Sequence, residues 1–536
     1  MKDSEKQTKA IKWIERGIAG SLFLFAIFAP HSIAVTQGAW LLGMLLWIVR
    51  FAFYPPPRTH RTPIDYAMLA FFILTGLSTL LSYEPLVSVG KLRAASLFTI
   101  VYLVVENVRD LRTVRLLALA LIGSSLISVV YTGAREIMGR GVRVEGVKAE
   151  SPLTSAMSTP RTTMHSIPIE SGDTIYEVDG KKINTAEDLA AALASGPGTT
   201  ARLQIFRLEW TPVLEVPRGH LLQGTTAESQ LGITGWSRGR DWRATGFFGH
   251  FVTYAESLQL LASLSLGMFL GCPRKRSGIG LALLVAFVGL VFALVLTVTR
   301  ASWAALFLSA ILMLVLSASR KMIAIVAVAA IPLVIASALF LQHKRNVKFL
   351  DQRDLSTTWR ETVWREGFHL LVSKPRHLLT GVGMDSLKAH WREWGLFDGG
   401  RIPMGHMHSD FLQIALERGL PALAAWLWLL AAYALTLWRT LRKDPHDVDT
   451  QNPQSAIRNP QFSWLDRGIV LGAFGGLTGF IVSGLVHYNW GDSEVVMIFY
   501  FIMGLALVIN RLSFRAGSRN SQPSIERANV AQTSSL

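Results

Sequence analysis

The stretch GIGLALLVAFVGLVFALVLTVTRASW, residues 278–303, decides the fold. Residues 278–299 carry no charge and are mostly Leu, Val, Ala, Phe and Gly. As a helix they extend about 33 Å, enough to cross the hydrocarbon layer of a bilayer. Similar runs recur at 17–34, 37–53, 64–82, 91–107, 113–134, 250–271, 301–318, 322–341, 418–438, 467–488 and 493–511. The pattern predicts an all-α polytopic membrane protein with about 12 transmembrane helices. Composition agrees: half of the 536 residues are hydrophobic and 17% are charged. A soluble chain could not hide that much apolar side chain in its cores. The formal net charge of +16 is read as setting orientation in the membrane, with no nucleic-acid partner. Cys272 is the single cysteine, so neither a disulfide framework nor a cysteine-based metal site is available.

Basic residues set the expected topology. Arg50, Arg58 and Arg61 follow the second run, Arg109, Arg112 and Arg115 the fourth, and Arg274, Lys275 and Arg276 the sixth; Arg320 and Lys321 follow the eighth. Arg439, Arg442 and Lys443 follow the tenth, and Arg511 and Arg515 the twelfth. The intervening short loops 30–38, 83–90 and 489–493 carry none. The alternation predicts both termini in the cytoplasm. The basic leader from Lys2 to Arg16 feeds a run too long for a signal peptide and reads as the start of a membrane anchor. The expected organisation is spans 1–5 over residues 1–134, an outer loop over 135–249, spans 6–9 over 250–341, a second outer loop over 342–417, spans 10–12 over 418–511, and a disordered cytoplasmic tail over 512–536. The polar segment 443–464 reads as a disordered linker.

The first outer loop has the pattern of a folded α+β insert between spans 5 and 6. GVRVEGV (141–147) alternates like a strand. SGDTIYEVDGKKI (171–183) reads as a strand, an Asp179-Gly180 hairpin turn and a short strand. TAEDLAAALAS (185–195) has Thr185 as N-cap and helical spacing, and ARLQIFR (201–207) alternates again. Residues 138–208 resemble a PDZ domain of the bacterial envelope-protease type, through SPL at 151–153, GD at 172–173, VDGKKI at 178–183 and EDLAAAL at 187–193. That resemblance implies an envelope protein partner bound by strand addition. The sequence departs from the family at the carboxylate-binding loop, where only Gly139, Gly141 and Val142 stand; a docking or spacer module without a ligand is the other reading.

Three strings on the outer face carry candidate chemistry. Arg300 ends a span inside TVTRASW (297–303). STTWRETVWREGFHLL (356–371) has helical spacing with Arg360 and Arg365 on polar positions, and GVGMDS (381–386) reads as a turn. GHMHSDFLQIALERGLPAL (405–423) runs into span ten. His406, His408 and Asp410 would share a face if extended, as in a metal site, but nothing completes a ligand set. If Ser409 and Asp410 instead open a helix, His408 lies at its N-terminal end. No metal and no cofactor is expected.

Taken in order, these strings resemble the O-antigen ligase and Wzy-type polymerase family of polytopic membrane glycosyltransferases. The likeness rests on TVTRASW, on Arg360-Glu-Thr-Val-Trp364 followed by Gly381-Val-Gly383, on HSDFLQIALERG (408–419), and on PHSIAVTQ (30–37). The resemblance implies transfer of a glycan from a polyprenyl-diphosphate donor to an acceptor hydroxyl on the periplasmic face of the bacterial inner membrane. The acceptor is a glycolipid, a glycan or, for an O-linked protein glycosyltransferase of the same family, a protein. It implies His408 as the base and Arg300 and Arg360 as diphosphate binders, with Arg365 and Arg243 as further candidates. The residue types suit that work. Two guanidinium forks can clamp a diphosphate, and an imidazole of near-neutral pKa can take the acceptor's proton. A membrane transporter and a PDZ-based envelope scaffold are the alternatives of another class. A transporter predicts ionisable residues at mid-span, whereas the polar candidates here gather on outer loops.

Overall fold

The computed structural model describes residues 2–158, 166–207, 211–240, 243–317, 355–401, 405–442 and 463–520. The described residues divide into two compact units: those within 130–244, and the remaining described residues.

The larger unit is helical. Its described helices are α1 (Lys2–Phe28), α2 (Ile33–Arg50), α3 (Asp65–Leu80), α4 (Pro85–Ala95), α5 (Thr99–Asn107) and the first part of α6 (Leu111–Met138). After the insert come α9 (Phe251–Gly271), α10 (Gly278–Leu296), α11 (Arg300–Ser317), α12 (Leu355–Val372), α13 (Pro375–Thr380), α14 (Asp410–Arg418), α15 (Leu420–Leu441), α16 (Trp464–Gly484) and α17 (Ser493–Asn520). Among the described residues eight helical segments are long and apolar enough to cross a membrane; α4 and α5 count as one, joined by a single tight turn at Ser96–Phe98. Helices also cover the predicted runs at 17–34, 64–82 and 250–271, while the run at 322–341 and the segment 443–462 lie outside the described residues.

Two boundaries differ from expectation. The predicted tail begins inside α17, which continues to Asn520. The helix entering span ten is broken: Gly419, at φ 84°, ends α14, and Pro421 sits in the first turn of α15. A left-handed glycine followed by a first-turn proline is the ordinary stop–start signal.

Glycines set the closest helix packing. A Cβ on Gly267 of α9 would fall 2.2 Å from the backbone nitrogen of Gly472 in α16, and one on Gly472 would fall 2.6 Å from Cα of Leu264. Small residues let the two backbones meet. That approach brings polar groups of α9 against the end of α16.

The smaller unit is an antiparallel sheet with two helices. Its strands are β1 (Arg140–Val147), β2 (Met157–Ser158), β3 (Thr174–Val178), β4 (Lys181–Lys182), β5 (Thr200–Phe206), β6 (Val213–Pro217) and β7 (Ile233–Gly239), in the order β2-β6-β5-β3-β1-β7 with β4 on β3. The helices are α7 (Ala186–Ala194) and α8 (Ala227–Leu231). The alternation seen in the sequence becomes a core of Val142, Val144, Ile175, Leu189, Leu203 and Ile205, all fully buried. Asp179 and Gly180 turn the hairpin with φ of 49° and 79°, the pairing a tight hairpin demands. Thr185 and Asp188 form the capping box of α7. The sheet runs past the expected limit at residue 208, because β6 and β7 join it. β7 lies along β1, pairing Val144 with Trp236 and Val147 with Ile233. The strand that follows Gly139 and Gly141 therefore has both edges filled from within the chain.

Candidate active site

The segment His406–Ser409 is held from several sides. Ser409 caps α14, its Oγ accepting from the Leu412 N–H at 3.5 Å. The Gln413 side chain accepts from the Met407 N–H at 2.6 Å, and the Trp364 indole of α12 donates to the Met407 carbonyl at 2.8 Å. Met407 is wholly buried, which leaves the flanking histidines fixed. His408 sits at φ 47°, a left-handed backbone that costs a non-glycine residue on the order of 1 kcal/mol or more. Val298 in TVTRASW and Asp385 in GVGMDS are left-handed as well, so each of the three strings bends the chain where propensity alone would not.

The imidazoles of His406 and His408 lie 4.2 Å apart between centroids, and the Trp359 ring stands edge-on to His408 at 4.3 Å. The backbone N–H of His408 donates to Nδ1 of His406 at 3.2 Å, which leaves the proton of neutral His406 on Nε2. Asp410 turns its carboxyl elsewhere: Oδ1 accepts from the Trp490 N–H at 3.0 Å. Its bulk fits because residue 484 is glycine, where a Cβ would lie 2.4 Å from Oδ2. Burial pushes this carboxyl well above the usual carboxylate range. The three residues do not converge as a ligand set would, and the helix-start reading of Ser409 and Asp410 is the one observed.

The electrostatics differ from the near-neutral histidine expected from sequence. Burial, then repulsion from His406, Arg360, His487 and His250, lowers His408 to about 2. Burial, then His487, Lys388, His250 and Arg360, lowers His406 to about 4. Both rings are neutral in the resting protein.

Of the predicted arginines, Arg360 on α12 is half-buried and near enough for its charge to act on His408. Arg365 is exposed; five residues further on, it points about 140° around the helix from Arg360. Arg300 opens α11 and is half-buried. Arg243 is half-buried and belongs to the smaller unit.

A buried polar knot escaped the sequence reading. Glu256 of α9 is 1% exposed and accepts from Ser302 at 3.0 Å, from His487 Nδ1 at 2.8 Å and from Ser483. Asn489 donates to its other oxygen at 3.4 Å. Ser302 lies two residues beyond Arg300, and His487 acts on both site histidines. The knot thus ties the start of α11 to the segment facing His406. A signal was present: Glu256 is the single charged residue of 251–271, and an ionisable group in an apolar run marks a functional position by default.

Next to the histidine pair lies a cavity of about 450 Å3 lined by His406, Glu417, Arg418, Tyr488, Asp385 and Lys91, among others. His408, Arg300 and Arg360 are not in its lining. No curated protein matches the chain. Residues 285–427, which carry TVTRASW, Arg360, the Gly381–Gly383 turn and His408, match the family model described as O-Antigen ligase. That segment is what makes the chain similar to the O-antigen ligase/Wzy-type family.

Proposed function

We propose that this protein transfers a glycan from a polyprenyl-diphosphate carrier to an acceptor hydroxyl on the periplasmic face of the bacterial inner membrane, with both termini in the cytoplasm. The match of residues 285–427 to the O-Antigen ligase model supports membrane glycan transfer. The observation that carries the finer reading is the proximity of Arg360 to a buried, neutral His408.

The chemistry needs a bound anion and an unprotonated base together. Arg360 and Arg300 hold the donor diphosphate through charge-assisted hydrogen bonds. His408 is deprotonated at rest, so it can accept a proton; its low pKa makes it a weak base until the diphosphate arrives. The bound negative charge offsets the repulsion from Arg360 and His406 and raises the basicity of the ring. The acceptor oxygen then attacks the anomeric carbon as His408 takes its proton. The bond from that carbon to the diphosphate oxygen breaks, and polyprenyl diphosphate leaves. A single displacement inverts the anomeric centre. Glu256 and its partners fix Arg300 and the 483–489 segment, and act as a positioning group. Their place argues against a transporter: Glu256 is the sixth residue of α9, Ser302 the third of α11, and Ser483 is near the end of α16. The groups of this knot gather at helix ends, where its one carboxylate sits away from mid-span.

The test is product formation. Purified protein in nanodiscs is given a polyprenyl-diphosphate glycan with a core glycolipid, a free glycan or a protein acceptor. One acceptor should gain the glycan with inverted linkage. Absence of transfer to all three, from a donor that a known ligase accepts, would refute the proposal.

A further inference from the structure

The helix that leads into the smaller unit ends in a cluster of arginines. Residues 116–134 of α6 carry no charge. As a helix they extend about 28 Å, close to the thickness of the hydrocarbon layer. Arg112 and Arg115 precede that stretch and Arg135 follows it. α6 is long and apolar enough to cross a membrane, which puts Arg135 at the depth of the lipid headgroups. The surface beside it is apolar: Val130 and Ile137 are 70% and 74% exposed, and Tyr131 and Met138 are exposed as well. The Arg135 guanidinium lies 6.0 Å from the Tyr131 ring centroid. Exposed tyrosine is enriched where a span meets the headgroups.

Three further arginines gather at the same turn. Gly139, at φ 66°, follows α6, and its N–H donates to the Arg135 carbonyl at 3.0 Å. A Cβ on Gly139 would fall 2.9 Å from Cβ of Arg238 and 3.5 Å from Cγ of Arg240, so the end of β7 carries both side chains past the end of α6. Arg238 donates to the Met138 carbonyl at 3.4 Å. Arg140 lies 4.9 Å from the Tyr176 ring centroid; burial lowers its pKa, and the charge of Arg135 adds to that. Arg238 and Arg240 are exposed. By sequence, residues 135–140 and 238–243 hold five arginines against two acids, Glu136 and Asp241. The negative end of the helix dipole favours a cation in its last turn, but it does not account for a surplus of this size. The surplus also lies at the end of α6 away from the basic loops, where the usual bias toward cytoplasmic cations does not explain it.

We infer that Arg135, Arg140, Arg238 and Arg240 form a binding site for the phosphate headgroup of an anionic membrane lipid, with its acyl chains along Val130 and Tyr131 of α6. Guanidinium forks match phosphate oxygens two at a time. A soluble anion would be matched by the charges alone; the exposed apolar side chains beside them match a molecule that carries acyl chains below its phosphate. All four arginines belong to the smaller unit, so the site ties the root of that unit to the bilayer surface. It requires no glycan chemistry and stands apart from the transfer proposal.

Full-length protein in neutral detergent is titrated with phosphatidylglycerol or phosphatidylcholine, and bound lipid is counted by native mass spectrometry. The tightest phosphatidylglycerol should bind at least tenfold more tightly than phosphatidylcholine. R238Q/R240Q should weaken it by about 25-fold, at about fivefold for each guanidinium lost. R240Q alone, expected at about fivefold, serves if the double variant does not fold. R202Q, which changes an exposed arginine of β5, should leave lipid binding unchanged. Equal binding of the two lipids, an unchanged phosphatidylglycerol affinity in the folded variants, or an equal loss in R202Q overturns the inference. Displacement of the lipid by inorganic phosphate or by an acidic peptide at the lipid's own concentration would assign the site to a soluble anion and overturn it as well.

Discussion

The two ends of the helical unit treat charge in opposite ways. At the end bearing the basic loops, several cations have built partners. Arg115 forks onto the buried Asp466 at 2.8 and 2.6 Å, Glu15 is shared by Arg50 and Arg109, and Arg511 donates to the Val108 carbonyl at 2.6 Å, closing the end of α5. At the other end, His406 and His408 are buried among positive neighbours that lower their pKa values, and the backbone around them is left-handed. Stabilising pairs satisfy a charge in the folded protein. The histidine end holds groups whose charge is unwelcome until an anion binds. The first arrangement anchors the bundle; the second, on the function proposed above, is poised for a ligand.

If that division holds, mutations at the two ends separate activity from stability. His408→Ala should lower turnover by roughly 10²–10⁴-fold, the usual worth of a general base. The thermal midpoint should stay at or above the parent value, because alanine removes a buried ring and cannot lose a paired charge. A folded His408→Ala protein that keeps more than a tenth of the parent rate would show that the base lies elsewhere. Asp466→Asn should do the reverse. It leaves Arg115 without its counter-charge and should cost about 3 kcal/mol, the low end for breaking a buried pair, since Arg115 is 28% exposed. Activity per folded molecule should be unchanged. A fall in turnover at constant stability would mean that the paired end also serves the reaction.

The arginines refine the comparison. Arg360→Lys and Arg300→Lys keep the charge and lose the planar fork, so each should reduce kcat/KM for the donor by about one to two decades. Acceptor kinetics should move less. Arg365→Lys should be silent, because that side chain is exposed and turned away from Arg360. Loss of donor use with Arg365→Lys alone would shift the diphosphate to the outer face of α12.

How much of this the sequence discloses depends on range. Local patterns sufficed for most helices, for the hairpin at Asp179-Gly180, for the capped helix after Thr185 and for the helix opening at Ser409, since each is set by neighbours within a few residues. The order of the three strings gave the resemblance, and the O-Antigen ligase model matches over residues 285–427. Partners distant in the chain were not legible: Glu256 meets His487 and Asp410 meets Trp490 only after α9 and α16 close on their glycines. β6 and β7 were missed because VLEVP is short and TGWSRG mixes glycine and serine into weak alternation. The break at Gly419 was missed, although a glycine two residues before a proline signals it. The depressed histidine pKa values were not, because they depend on burial and on cations brought from other elements.

The smallest expected effect is a pH dependence, and it tests the poised end most directly. His408 is lowered by burial, His406, Arg360, His487 and His250. A histidine with a depressed pKa is in its base form above that value and loses it only as pH falls through it. In the free protein this lies at about 2, so kcat/KM should show no acid limb from His408 between pH 5 and 8, a window set by ordinary histidine titration. With donor bound, the diphosphate raises the same pKa. The kcat profile should therefore fall on the acid side, by no more than about tenfold per pH unit. Arg360→Gln removes one repelling charge, which raises the free-protein pKa and should draw the limb into kcat/KM from the acid end. A kcat/KM limb near pH 6.5 in the parent protein, or a kcat profile flat at every pH with donor saturating, would show that His408 is not the group whose charge the donor controls.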